Sequence, residues 1–133
     1  AGNVREAIEM LNAERIGHGV RVLEDPMVVD LARERRPDFE VCVTSNYQTG
    51  SIPSLQEHPL MKMLDSGLSV TLATDDPSIS QITLADEYRK ACVDLGMPEE
   101  GLKKCILAAA SAAFLPEAAR QELVAGLRQE LKV

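Results

Sequence analysis

Apolar and polar positions along the chain follow two different periods, and the alternation of these periods predicts the order of its elements. The first three-fifths is predicted to run helix 3–12, strand 15–20, helix 26–36, strand 39–44, helix 59–66 and strand 68–73. Short connections between such elements imply parallel strands joined by right-handed crossovers. After Pro77 the pattern is wholly helical, with helices expected near residues 84–95, 98–114 and 116–131. The expected fold is α/β, with residues 1–133 forming one domain.

Polar residues follow each of the three predicted strands. His18 lies at the C-terminal end of the first strand, Ser45 and Asn46 lie in a polar loop after the second, and Asp75 and Asp76 follow the third. The Asp-Asp-Pro segment by itself would also suit an acidic turn. In a parallel α/β arrangement, however, the carboxyl ends of the strands meet at the edge where active sites are built. Their recurrence at three strand ends therefore favours a functional site over a turn.

The two histidines of the chain have different settings. His18 lies between two glycines, which allow a sharp backbone bend and close approach of a ligand. This setting favours a working imidazole over a buried histidine bonded to a carbonyl. His58 directly precedes Pro59 at a helix start, so we expect it to be exposed or to cap that helix rather than to bind a metal.

The acidic pair admits two chemistries. In a zinc or iron hydrolase, one carboxylate binds the metal and its neighbour holds the substrate. In a phosphotransfer domain, the pair would bind magnesium. The sequence has no glycine-rich phosphate loop, and His18 favours a softer metal and hydrolysis. Cys42 with His18 as its base is a weaker alternative, because the thiol lies inside an apolar run.

Composition limits the binding partners and the cellular compartment that we expect for this protein. The net charge of −7 and the absence of tryptophan argue against a nucleic-acid partner. No apolar run is long enough to span a bilayer and the start does not resemble a signal peptide, so no membrane association is expected. Three cysteines without a Cys-x-x-Cys spacing indicate free thiols in a reducing cytoplasm.

Four segments together resemble the adenosine deaminase family in its bacterial form. They are Glu14–Val20 (ERIGHGV), Thr44–Gly50 (TSNYQTG), His58–Leu60 (HPL) and Thr74–Pro77 (TDDP). Each segment is weak alone, but the combination is specific and runs over nearly the whole chain in the family's order. The family is a zinc-dependent (β/α)8 TIM barrel that converts adenosine to inosine and ammonia. The resemblance implies that this chain is the C-terminal half of such a barrel, comprising strands six to eight and the terminal helices.

The resemblance also assigns roles to three residues. Asp75 matches the family's zinc-binding aspartate, and Asp76 matches the acid that hydrogen-bonds the purine ring at N7. His18 matches the histidine that orients the attacking hydroxide and steadies charge developing at C6. The Ser45–Asn46 segment is similar to the family's but brings no catalytic role with it.

Several family residues are missing from the sequence. The His-x-His pair of the first strand and the His-Ala-Gly-Glu segment of the fifth are both absent, which leaves Asp75 as the one matching zinc ligand. Because a catalytic zinc site normally has three protein ligands, we expect this chain alone to be inactive. We also expect the missing N-terminal half, or a second copy, to cover the open strand edges. The alternatives are a non-catalytic assembly or binding module and a deaminase of adenine or an aminofutalosine-like nucleoside.

Overall fold

The computed structural model describes residues 1–133 as a three-stranded parallel sheet flanked by helices. The strands are β1 (Arg15–Gly17), β2 (Asp38–Val41) and β3 (Ser69–Leu72). The helices are α1 (Gly2–Glu9), α2 (Pro26–Arg35), α3 (Val43–Gln48), α4 (Leu60–Asp65), α5 (Pro77–Ser80), α6 (Leu84–Arg89), α7 (Glu99–Ser111) and α8 (Glu117–Leu131). Val20–Glu24 and Leu55–Glu57 are short 3-10 helices, and Lys90–Asp94 extends α6 as a π-helical segment.

The sheet has the order β1-β2-β3, and its two faces differ in polarity. Ile16, Phe39 and Val70 are partners in the register and are buried, because this face packs against helices. On the opposite face, the Arg15 guanidinium donates to the Glu40 carboxylate at 2.7 Å from Nε. The alternation along each strand thus sends apolar side chains to one face, and the other face carries the charged residues of β1 and β2 and the hydroxyl residues of β3.

Local chemistry sets the helix boundaries that the sequence predicted best. Pro26 occupies the first position of α2, and Asp25 caps it by accepting a hydrogen bond from the backbone N–H of Met27 at 2.9 Å. Arg36 ends the same helix in the left-handed conformation. The predicted α/β class, parallel strands and helical C-terminal third are all confirmed.

The prediction was wrong at the end of the second strand. Sheet pairing stops at Val41, and the expected polar loop begins instead as the helix α3, whose first four residues are buried. The helix starts early because the fully buried Glu87 carboxylate accepts hydrogen bonds from both the backbone N–H and the hydroxyl of Thr44. Ser45 and Asn46 are therefore carried on a fixed helical turn rather than on a loop.

The first strand is also shorter than predicted. His18 and Gly19 both adopt the left-handed conformation, with φ of 58° and 62°, which ends the extended backbone. Glycine is required at position 19, since a Cβ there would lie 2.5 Å from Cδ1 of Phe39. The chain turns at this point into the 3-10 helix Val20–Glu24.

Candidate functional site at the carboxyl ends of the strands

The sheet places the predicted site residues at one edge. The backbone N–H of His18 donates to the carbonyl of Glu40 at 2.9 Å, so strand pairing extends to the histidine. The backbone N–H of Ala73 likewise donates to the carbonyl of Val41 at 3.0 Å. These bonds fix the start of the segment that leads to Asp75. His18 therefore leaves the sheet from hydrogen-bonded backbone, and Asp75 lies two residues beyond such a bond.

His18 and Asp75 share an uncommon backbone conformation. Their φ angles are 58° and 61°, in the left-handed region that non-glycine residues rarely adopt. Such conformations cost on the order of 1–3 kcal/mol and cluster at functional sites. Left-handed backbone turns each side chain away from its strand direction, and here both side chains turn toward the same place.

Asp75, Ser45 and His18 meet at this edge. The Ser45 hydroxyl donates to Oδ2 of Asp75 at 2.8 Å. Nε2 of His18 lies 3.7 Å from the same oxygen, and the two side chains are 41% and 47% exposed. The structure thus brings together the residues that follow all three predicted strands, as the sequence indicated.

Asn46 contacts His18 on the side of the ring opposite Asp75, and His58 in turn contacts Asn46. Nδ2 of Asn46 lies 3.1 Å from Nδ1 of His18, and Oδ1 of Asn46 lies 3.2 Å from Nε2 of His58. Nδ1 of His58 accepts a hydrogen bond from the backbone N–H of Leu60 at 3.1 Å, which caps the start of α4. The predicted capping role of His58 is confirmed. Of the two settings expected for His58, exposed or capping, the structure shows the capping one, with the side chain only 6% exposed.

A cavity of about 560 Å³ opens over these groups. Its wall combines the strand-end residues with the first turn of α1 and with the turn after α3. The polar side chains that line it include His18, Ser45, Asn46 and Asp75. A cavity of this size is within the range of small-molecule sites.

Asp76 is exposed and does not join this group. Its Oδ1 accepts hydrogen bonds from the backbone N–H groups of Ser78 and Ile79, both at 3.1 Å, and so caps the short helix α5. The cavity wall includes Asp75 but not Asp76. The adjacent acids therefore differ in setting, one facing the cavity and the other capping a helix.

The Cys42 thiol is unsuited to nucleophilic attack. It is 5% exposed, and burial together with the nearby carboxylates of Asp75, Glu87 and Glu40 raises its pKa to about 12. A thiol of that pKa is protonated at neutral pH, whereas the thiolate is the reactive form. Cys42 is therefore a core residue, as its apolar run suggested.

The donor atoms at the edge suit one metal-binding carboxylate. Oδ2 of Asp75 is held by Ser45, while Oδ1 makes no hydrogen bond within the chain. A half-exposed carboxylate oriented in this way matches the oxygen ligands of zinc sites. No group of three or more His, Cys, Asp and Glu side chains converges anywhere in the chain. The residues present therefore fit one protein ligand of a zinc site, the Asp75 carboxylate, and not a complete ligand set.

Sequence reasoning missed the contacts of Ser45, Asn46 and His58. The sequence pattern predicts Ser45 and Asn46 at a strand end without a role, and His58 either at an exposed position or at a helix cap. Sequence position was the one indication that these residues lie near the site, since Ser45 comes shortly after a strand end and His58 directly precedes a helix. Contacts such as Asn46 to His58 depend on how α3 packs, which the sequence pattern did not predict.

A parallel α/β sheet with polar side chains gathered at the carboxyl ends of its strands is typical of one class of protein, the (β/α) barrels. The model of the adenosine deaminase family matches residues 1–130. This chain belongs to the adenosine deaminase family.

Curated relatives agree with this assignment. The chain is 39% identical over 123 residues to an adenosine deaminase of Vibrio parahaemolyticus, and 40% identical over 123 residues to one of Edwardsiella ictaluri. Each alignment covers 92% of this chain and 37% of the relative. The chain therefore spans a little more than a third of these enzymes. The match gives no support to magnesium-dependent phosphotransfer.

Solved structures show the same fold. The chain superimposes on an adenine deaminase from Arthrobacter aurescens with a TM-score of 0.91 and 26% identity, over 99% of this chain and 40% of that one. An amidohydrolase from Burkholderia ambifaria with bound zinc gives a TM-score of 0.89 and 25% identity, over 98% and 37%. The N6-methyl-AMP deaminase of Arabidopsis thaliana gives a TM-score of 0.80 and 25% identity, over 96% of this chain and 37% of that one. These matches confirm the predicted fold class of a partial TIM barrel.

None of the helices has both the length and the apolar character needed to cross a membrane.

Proposed function

We propose that this chain supplies part of the active site of a zinc-dependent purine deaminase that converts adenosine and water to inosine and ammonia. The observation that carries the proposal is the meeting of His18, Asp75 and Ser45 at one strand edge, beside a cavity. Membership of the adenosine deaminase family and the identity to curated adenosine deaminases support the same reaction.

Each residue has a distinct role in this proposal. Asp75 would hold zinc through the carboxylate oxygen that Ser45 leaves free, and zinc supplies the Lewis acidity that makes water a nucleophile at neutral pH. His18 orients the attacking oxygen from its position 3.7 Å from Asp75 and stabilises charge developing on the ring. Ser45 fixes the rotamer of Asp75 by donating to Oδ2.

The chain by itself is proposed to be inactive. A catalytic zinc site needs three protein ligands, and no such group of side chains exists in these residues. The relatives are nearly three times as long as the matched region, so further ligands and the acid that protonates the ring would come from segments outside this chain. Loss of an acid–base group alone commonly lowers the rate by ~10²–10⁴-fold.

A chimaera tests the proposal. The part of the Vibrio adenosine deaminase that this chain does not match would be joined to residues 1–133. We expect the chimaera to bind about one zinc ion per chain and to release ammonia from adenosine, and residues 1–133 alone to do neither. Asp75→Asn in the chimaera should lower kcat/KM by at least about 10²-fold, together with the zinc content.

The matched control is Asp65→Asn, which changes an exposed aspartate on α4. It should leave activity and zinc content unchanged. A chimaera that folds and binds zinc but releases no ammonia would contradict the proposed function. So would full activity in Asp75→Asn.

Asp76 is proposed to contact the purine at N7, and its capping role allows a clean test. Asparagine is also a good N-cap, so Asp76→Asn should keep α5 intact while raising KM for adenosine about 10-fold in the chimaera. Asp76→Ala should lose stability as well, by about 1 kcal/mol. Equal KM values for Asp76→Asn and the unchanged chimaera would contradict the proposed contact between Asp76 and the purine.

Adenine is the second candidate substrate, favoured by the TM-score of 0.91 to an adenine deaminase. Parallel assays of the chimaera with adenosine and with adenine at matched concentrations would separate the two. Ammonia release from adenine at a higher kcat/KM than from adenosine would favour the adenine alternative. If residues 1–133 bind a purine with no reaction in any assembly, the chain is a binding module.

A further inference from the structure

Asn46 and His58 form a hydrogen-bonded chain that leads away from His18 into the core. Asn46 is 2% exposed and His58 6% exposed, and no buried side-chain nitrogen or oxygen in the protein lacks a hydrogen-bond partner. We propose that Asn46 and His58 are positioning residues that hold His18 in one tautomer, with the proton on Nε2 facing Asp75. The catalytic meaning of this tautomer rests on the function proposed above, but the tautomer itself does not.

The direction of every bond follows from one backbone group. The N–H of Leu60 can only donate, so Nδ1 of His58, 3.1 Å away, must accept. A neutral imidazole that accepts at Nδ1 carries its proton on Nε2. Nε2 of His58 therefore donates, and its partner 3.2 Å away is the carbonyl oxygen of Asn46.

The orientation of the Asn46 amide is then fixed. Its oxygen accepts from His58, so its NH2 group points to Nδ1 of His18 at 3.1 Å. Because an amide NH2 group only donates, Nδ1 of His18 must accept. Neutral His18 consequently carries its proton on Nε2, and two residues distant in sequence decide this.

Burial keeps His58 neutral, and so preserves the hydrogen-bonded relay formed by His58, Asn46 and His18. Burial lowers the pKa of His58 to about 4, so the ring is neutral across the physiological range. A protonated His58 would present a second donor to the Leu60 N–H and lose that bond. The relay thus depends on a histidine that does not titrate near neutral pH.

The tautomer has a consequence for the site. A nitrogen that carries a proton cannot ligate a metal, so His18 is excluded as a metal ligand in this state. Nε2 of His18 and Oδ2 of Asp75 are 3.7 Å apart, too far for a direct hydrogen bond. An oxygen atom about 2.8 Å from each could bridge them, with the His18 N–H donating to it. His18 would then orient an attacking oxygen rather than remove its proton through Nε2.

Nitrogen NMR on the uniformly labelled chain tests the proposal without metal or substrate. Long-range proton–nitrogen spectra distinguish the two tautomers of each histidine. In the unchanged chain we expect the Nε2-protonated pattern for both His18 and His58. In Asn46→Asp the new carboxylate cannot donate, so His18 should move its proton to Nδ1, from where it can donate to the carboxylate.

Two variants of His58 separate the relay from simple helix capping. His58→Asn keeps an acceptor near the Leu60 N–H but loses the donor to Asn46, so His18 should show a mixture of tautomers. His58→Gln keeps a donor near Asn46 but loses the cap, so His18 should keep its proton on Nε2 at reduced stability. The opposite ranking would show that His58 acts only as a cap, and would overturn the proposal.

Other results also overturn it. One is an Nδ1-protonated His18 in the unchanged chain, and another is an unaltered His18 tautomer in folded Asn46→Asp. If Asn46→Asp does not fold, the ranking of the two His58 variants decides by the same criterion. In the active chimaera, Asn46→Asp should lower kcat by about 10–100-fold with KM changed less than about 2-fold.

The two proposals can fail separately. The expected tautomers with an inactive chimaera would leave the relay standing and remove the proposed function. An active chimaera in which every variant keeps the same His18 tautomer would support the proposed function and overturn the proposed relay.

Discussion

Burial favours the uncharged form of three ionisable side chains of this protein. Cys42, Cys105 and His58 all lie in the core, and in each case desolvation shifts the pKa toward the uncharged form. His18 and Asp75, at the cavity, remain about half exposed. The half-exposed side chains at the cavity thus differ in setting from the buried ones of the core.

Thiol reactivity should follow this division. Burial raises the pKa of Cys42 to about 12 and that of Cys105 to about 11, while Cys92 is partly exposed. Brief treatment with iodoacetamide at pH 8 should therefore modify Cys92 well before the other two. Peptide mass spectrometry reads the order, with the chain unfolded in urea as the control in which all three react. Rapid modification of Cys42 in the folded chain would contradict its assignment to the core.

His58 should make stability depend on pH. Its pKa is about 4 in the folded chain and near 6.5 when unfolded, so between these values the unfolded state binds the extra proton. Stability is fully present above pH 6.5 and falls as the pH drops toward 4. Since a difference of one between the two pKa values is worth about 1.4 kcal/mol, the loss reaches roughly 3 kcal/mol.

Urea unfolding of the unchanged chain and of His58→Asn at pH 7 and pH 4.5 measures this term. Carboxylates titrate in both proteins, so only the difference between them reports on His58. That difference should shrink at the lower pH. Parallel loss of stability in the two proteins would show that His58 does not contribute.

At the scale of elements, one buried carboxylate joins α6 to α3. Glu87 is 0% exposed and accepts hydrogen bonds from the backbone N–H of Thr44 at 3.2 Å and from its hydroxyl. Because α3 carries Ser45 and Asn46, this contact holds the turn that supports the site. The position of a helix outside the site thus determines the geometry inside it.

Glu87→Ala should destabilise the chain by about 3 kcal/mol, because it leaves two buried donors of Thr44 unpaired. Glu87→Gln keeps one acceptor and should lose less. Glu122→Ala, at an exposed position of α8, is the matched control and should change stability by less than about 0.5 kcal/mol. Urea midpoints give the ranking, and equal effects of Glu87→Ala and Glu122→Ala would contradict it.

At the scale of the whole molecule, the sheet has two unpaired edges. In the order β1-β2-β3, both β1 and β3 pair on one side only. Unpaired strand edges are templates for association. The exposed Phe114 ring, whose face lies 4.0 Å from the Arg15 guanidinium, adds apolar surface near β1.

We therefore expect the isolated chain to self-associate, or to be covered by the segments that its relatives carry in addition. Light scattering over a range of concentrations should give a mass that rises above the 14.5 kDa of one chain. Joining the rest of the barrel in the chimaera should remove this rise. A constant mass of 14.5 kDa, with cooperative unfolding, would show that the edges are not association sites.

Much of the fold was predictable because its signals are local. Pro26 starts α2 and Pro59 directly precedes α4, as predicted, and apolar residues at two periods separate strands from helices. The end of the second strand was not predictable in this way. Residues 39–44 are apolar enough to continue a strand, and only the Glu87 carboxylate, 43 residues from Thr44, starts the helix there.

The sequence by itself determined the α/β class, the family and the strand-end positions of His18, Ser45 and Asp75, because periodicity and motif spacing are properties of neighbouring residues. It did not determine what these side chains contact. Tertiary structure decided that the Ser45 hydroxyl donates to Asp75, that Asp76 caps α5, and that Asn46 links His18 to His58. Those contacts join residues up to 30 positions apart, and only the packing of helices on the sheet brings such residues within hydrogen-bond distance.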